Sequence, residues 1–154
     1  MGPEDDMKRF QWAAAAAAAI AMTGCSGIVS RVHKGQVGEV IDQSPEHSGY
    51  FEAIGIGASD PAMPTATQRK ALARDAAIVK AQYELLSLIK GVTLEGGVTV
   101  SQAMEADSTL SARVHDMLRG AEVRKTEFTS DGGCVVTLRL PKDQLMDETS
   151  RERL

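Results

Sequence analysis

Thr65-Ala66-Thr67-Gln68 fits the reciprocal Thr/Gln capping box, Pro64 stands just outside it, and neither proline nor glycine interrupts the chain again before Gly91. This pattern predicts one helix from about Ala66 to Lys90, about 37 Å long. Lys90 then lies against the negative end of the helix dipole, and Gly91 is expected in the left-handed conformation common after helices. Such a rod needs a broad surface to lie on. Leu72, Ala76, Val79, Tyr83 and Leu86 recur at alternating four- and three-residue intervals and are expected to form the core stripe on a sheet. Ile78, Leu85 and Ile89 make a second stripe, with Asp75 and Gln82 between the two. A helix apolar on two sides is usually covered on two sides. The second stripe is therefore expected to meet a second copy, making Ile78, Leu85 and Ile89 an oligomer interface, or to be covered from within by Ser108–Arg119. That segment carries Leu110, Val114, Met117 and Leu118 at helical spacing, with Gly120 after it.

Strand signals flank the helix. Tyr50-Phe51-Glu52-Ala53-Ile54-Gly55-Ile56-Gly57 is aromatic and β-branched and runs into the breakers Ala58-Ser59-Asp60-Pro61. Val92 to Val100 alternates around Gly96-Gly97 and predicts a strand or small hairpin. Ala121–Thr129 and Cys134–Leu140 bracket Ser130-Asp131-Gly132-Gly133, a strong hairpin turn. Pro141 to Leu154 starts as a short helix and becomes a charged tail. The order strand, long helix, strand, helix, hairpin predicts an α+β two-layer domain, with a long and a shorter helix on a small, mainly antiparallel sheet.

The amino terminus is of another kind. Lys8-Arg9 precede a short alanine-rich apolar stretch that ends in Met22-Thr23-Gly24-Cys25, the three-part plan of a secretory signal. From Phe10 to Met22 a helix reaches only about 20 Å, short of a hydrocarbon core of about 30 Å. Met22-Thr23-Gly24-Cys25 resembles the lipobox of bacterial lipoproteins, which implies cleavage between Gly24 and Cys25 and a covalent lipid on Cys25. The acidic run Glu4-Asp5-Asp6 does not suit a signal's start and points to initiation at Met7. The resulting division is 1–24 signal peptide, 25–49 acylated cysteine and flexible tether, 50–146 folded domain and 147–154 charged tail. A flexible chain from Cys25 to Tyr50 has a root-mean-square span of about 27 Å, enough to hold the domain clear of lipid headgroups.

The order of elements, together with Ala53-Ile54-Gly55-Ile56-Gly57, Ala73, Ala76 and Ala77, Tyr83-Glu84-Leu85-Leu86 and Leu118-Arg119-Gly120-Ala121-Glu122-Val123, resembles the small outer-membrane lipoproteins of the Lpp-twenty type. The resemblance covers most of the chain after Cys25. It implies a dodecin-like or SHS2-like fold, attachment to the outer membrane on its periplasmic face, and, for the flagellar members, assembly into rings or disks. Ser26 after the cysteine agrees with release to the outer membrane. Cys134-Val135 stands where the family often has an aromatic, which leaves the flagellar role open.

Other chemistries are poorly supported. A net charge of −4 and the lack of a basic cluster with interleaved aromatics argue against nucleic-acid binding. Gly55-Ile56-Gly57 lacks the third glycine of a dinucleotide fingerprint, since position 60 is aspartate, and is expected to serve close packing of the strand beneath the helix. His33, His47 and His115 lie scattered, without metal-ligand spacing. His115-Asp116 are sequence neighbours that a helix turns apart, and no Gly-x-Ser-x-Gly elbow is present. Cys134 alternates in phase with Val136, Leu138 and Leu140 and is expected to be a small core residue. Arg69, Lys70, Arg74 and Lys80 read as a solvated face. The expectation is a non-enzymatic protein with no cofactor other than the lipid on Cys25, partnered by the outer membrane, by copies of itself, and by flagellar or other envelope proteins. The alternative is an envelope module that takes a peptide, glycan or lipid in a cleft between helix and sheet.

Overall fold

A computed structural model describes residues 29–94 and 96–145. Cys25, Gly24 and the tail from 147 lie outside the described residues. Two short strands come first, β1 (Val32–His33) and β2 (Gln36–Val37), paired as a small hairpin through Lys34-Gly35. They are followed by β3 (Tyr50–Gly57), α1 (Ala66–Lys90), α2 (Val100–Ala106), α3 (Ser108–Arg119), β4 (Glu122–Phe128) and β5 (Cys134–Pro141). The fold is α+β: β3, β5 and β4 form an antiparallel sheet in that order, and α1 lies across one face of it.

Local chemistry explains most boundaries. At the start of α1 the Gln68 amide donates to Thr65 Oγ1 at 3.1 Å and the Thr65 amide to Gln68 Oε1 at 3.3 Å, which closes the capping box. Gly91 ends the helix with φ −77°, not in the expected left-handed conformation. The chain tightens instead, the Gly91 and Val92 amides donating to the carbonyls of Leu88 and Ile89 at 3.2 and 3.0 Å. The β4–β5 turn has Gly132 at φ +90°, and the Asp131 carboxylate accepts from the Gly133 amide at 3.3 Å. Between Val92 and Val100 the expected hairpin shrinks to one bridge, Thr93 to Thr99. There a second capping box, Thr99 with Gln102, starts α2 in place of a longer strand.

The packing of α1 on the sheet reverses the expected faces. β3 turns Ala53, Gly55 and Gly57 toward the helix, and a Cβ built on Gly55 or Gly57 would lie 1.9 Å from the carbonyl oxygen of Ala77 or Ala73. Helix backbone rests on strand backbone, so only a face of alanines fits. Ala73, Ala77 and Ala81 occupy it, while Leu72, Val79 and Tyr83 turn outward at 47 %, 65 % and 63 % exposure. The four-residue line of buried positions winds about 40° around the helix at each step. Leu85 and Ile89 consequently leave the sheet's middle and join Val100, Leu110, Val114 and Leu118 of α2 and α3 in the core. The Gln82 side chain donates to the Leu118 carbonyl at 3.3 Å across the same contact.

The opposite face of the sheet is covered as well. Residues 29–49, expected as a free tether, fold back as a strap over it. The Ser30 hydroxyl and the Arg31 amide are bound by the Glu127 carboxylate on β4, the latter at 2.9 Å, and the Ile54 amide on the free edge of β3 donates to the Gln43 carbonyl at 2.8 Å. Ile54, Val135 and Thr137 point away from α1 and are nonetheless buried. At its far end the strap is held by Lys142, whose amide donates to the Gly49 carbonyl at 3.1 Å and whose ammonium donates to the His47 carbonyl at 2.5 Å. Residues 142–145 make the helical turn expected after Pro141, with Leu145 buried.

Candidate functional site

Three places in the described residues carry more than packing. The largest apolar one is the outer face of α1, where Leu72, Asp75, Ala76, Val79, Lys80 and Tyr83 line a shallow open groove. The Lys80 ammonium sits on its margin, 2.9 Å from Glu84 Oε1 and 5.2 Å from the centre of the Tyr83 ring. The ion pair raises the Lys80 pKa, chiefly through the hydrogen bond with Glu84 and then through its charge. Apolar side chains in a strip with charges at its rim are the composition of a docking surface.

The second place is an ionic cluster between strap and sheet. Glu52 of β3 is 4 % exposed and receives Arg139 Nη2 at 3.0 Å, with Arg31 Nη2 at 4.0 Å and His47 Nε2 at 3.8 Å from its other oxygen. Arg139 lies 3.8 Å above the Tyr50 ring, whose other neighbour is the His47 imidazole at 4.3 Å between centres. Arg31 Nε, Arg139 Nε, His47 Nε2 and Thr137 Oγ1 are buried and make no hydrogen bond to the described residues. The cluster ties Arg31 and His47 of the strap to Glu52 of the sheet, while the desolvation of ions so placed offsets much of their attraction.

The third place is a cavity of about 480 Å³ at the strap's far end, with His47, Ser48, Tyr50, Phe51, Leu88 and Lys142 in its wall. It mixes polar and apolar groups. The cleft expected between helix and sheet is filled by the Gly55–Ala77 and Gly57–Ala73 contacts.

The structure separates the proposed interface residues. Leu85 and Ile89 are wholly buried within the chain and Ile78 is half-buried against the same core, so Ile78, Leu85 and Ile89 do not form an outward surface; α2 and α3 cover them. Cys134 is in the core as expected, and burial raises its thiol pKa against the smaller opposing influence of Arg74. Arg69 bonds the Met63 carbonyl at 2.8 Å and Lys70 lies 5.3 Å from the Phe128 ring, so the basic residues of α1 are partly engaged. Among the described residues no group of three or more His, Cys, Asp or Glu could hold a metal ion, and no helix is long and apolar enough to cross a membrane.

The Glu52 cluster escaped the sequence reading, although a signal existed. Glu52 and Arg139 are opposite charges set inside two apolar strands, Phe51-Glu52-Ala53 and Leu138-Arg139-Leu140, and antiparallel pairing places them directly across from each other. Their partners Arg31 and His47 precede Glu52 in a segment without periodicity, and only the strap's path brings them to the carboxylate. No family model, no curated protein and no solved structure matches the chain.

Proposed function

We propose that the chain is a lipid-anchored, periplasm-facing outer-membrane lipoprotein that works by placement and self-association rather than by catalysis. The observation that carries this is the sequence Lys8-Arg9, alanine-rich stretch, Met22-Thr23-Gly24-Cys25. One acyl chain binds a bilayer only marginally, so stable attachment takes a second, and a multiply acylated cysteine of the kind the resemblance implies supplies it. The exposed strip on α1 supports self-association, and the resemblance to the Lpp-twenty type extends the proposal to assembly of an envelope structure such as a flagellar basal-body ring or disk. Replacing Cys25 by Ala is expected to abolish radiolabelled palmitate uptake and move the protein out of the membrane fraction. Unchanged labelling and residence would refute the anchor. Deletion of the gene separates the branches: lost motility supports the flagellar role, and envelope leakage with normal motility assigns the protein to another envelope structure.

A second proposal rests on the cavity beside His47 and Lys142. A periplasmic ligand bearing an anionic group and an apolar part, such as a peptide carboxylate or a lipid, matches the lysine and the Phe51 and Leu88 walls. Saturable binding of such a ligand, lost on Phe51→Ala, would favour it.

A further inference from the structure

We infer that the outer face of α1 is a parallel, two-fold seam that pairs with a second copy of this chain. The inference deepens the self-association part of the proposed function and rests on it for the confinement of copies, but not for the geometry. Leu72, Ala76, Val79, Tyr83 and the half-buried Leu86 alternate four- and three-residue steps, averaging the 3.5-residue period that keeps an apolar seam in line between two parallel or antiparallel helices. Leu72, Val79 and Tyr83 are exposed, and Ala76 between them leaves room for close approach.

The charges choose the occupant and the direction. Around the helix, Asp75 lies about 70° to one side of the strip's midline and Lys80 about 70° to the other. A two-fold axis parallel to the helices sets each flank of one copy against the opposite flank of its mate, so Asp75 of each faces Lys80 of the other, the flanking charge pattern of parallel coiled coils. Antiparallel pairing would set lysine beside lysine and aspartate beside aspartate. The face is thus complementary to itself in one arrangement. Glu84 holds the Lys80 ammonium at the strip's margin, where it is available to a second carboxylate. Two helical heptads make a weak contact alone, but tethering to a common surface raises the effective concentration of copies toward the millimolar range.

The test uses the full-length chain in its native membrane. Tyr83→Cys and Ala76→Cys, each introduced alone and oxidised with copper phenanthroline, should give disulfide-linked dimers, because a parallel axis places each position opposite itself. Peptide mass mapping assigns the bond, with the buried Cys134 expected to stay unlinked. Asp75→Lys or Lys80→Asp should each lower the dimer yield about fivefold, and the double exchange should restore it. Dimers formed only by mixing Leu72→Cys with Tyr83→Cys chains would overturn the parallel seam in favour of an antiparallel one. Absence of any dimer in chains that still take up palmitate would overturn the seam while leaving the anchor standing. If palmitate uptake is also absent, oxidation of the purified full-length chain at millimolar concentration decides the seam by itself, monomer alone overturning it.

Discussion

Gly57 shows how little room there is between α1 and the sheet. With its missing Cβ aimed at the Ala73 carbonyl oxygen, 1.9 Å from where that carbon would be, any side chain must push helix and strand apart, because the obstructing atom is backbone and cannot rotate away. Gly57→Ala is expected to destabilise the domain by about 3 kcal/mol, the upper part of the range for overpacking, and Gly55→Ala by a similar amount. Urea unfolding followed by circular dichroism measures both; a loss below about 1 kcal/mol would show that the helix can lift without penalty. The packing role of these glycines was legible in the sequence, since two of them separated by one residue in an apolar strand point to the same face. The Glu52 cluster was not legible to the same depth. Pairing Glu52 with Arg139 needs only the strand register, whereas bringing in Arg31 and His47 needs the path of a segment with no periodicity of its own.

At the level of α1, boundaries and burial came apart. The capping box and the glycine located the helix at Ala66–Lys90 because they are local chemistry, satisfied within a turn. Side-chain size is what makes the four-three stripe a misleading guide to the buried face. The large residues of the four-three stripe look like core, but the strand directly beneath the helix, β3, presents Ala53, Gly55 and Gly57 and brings the two backbones so close that only alanine fits between them. The two assignments differ in a measurable way. Leu85→Ala is expected to cost about 2–5 kcal/mol, as for a buried leucine, whereas Val79→Ser should change monomer stability by less than about 0.5 kcal/mol. The reverse order in a denaturant titration would restore the original faces. For the second helical stripe the sequence allows either a second copy or Ser108–Arg119 as cover, and it is Ser108–Arg119 that covers Leu85 and Ile89.

Across the whole molecule, the strap changes what an anchor at Cys25 would do. A free chain to Tyr50 would let the domain wander about 27 Å, but with the strap docked an extended run from Cys25 to Ser30 reaches at most about 18 Å, so the β1–β2 end of the domain would ride close to the lipid. Glu127 is the clip. Burial alone would raise its pKa, but hydrogen bonds from Ser30, the Arg31 amide and Lys125 outweigh that and hold the carboxyl below the ordinary carboxylate range. A lowered folded-state pKa means that the clip is at full strength above the unfolded value and is lost as pH falls through the folded one. Hydrogen exchange should therefore show the Arg31 amide losing protection below the ordinary carboxylate range, and Glu127→Gln should weaken that protection at neutral pH and flatten its acid dependence. An Arg31 amide indifferent to acid would remove Glu127 from this role. The strap also has a mechanical consequence. Tension applied at the amino terminus would load the Ser30 and Arg31 contacts first, then the hairpin, then Gln43, so the bonds would yield in succession like a zip. Peeling residues 30–49 would free a segment of about 65 Å contour length before the strands of the sheet bore any load, so the strap would cushion the sheet against a pull on the amino terminus.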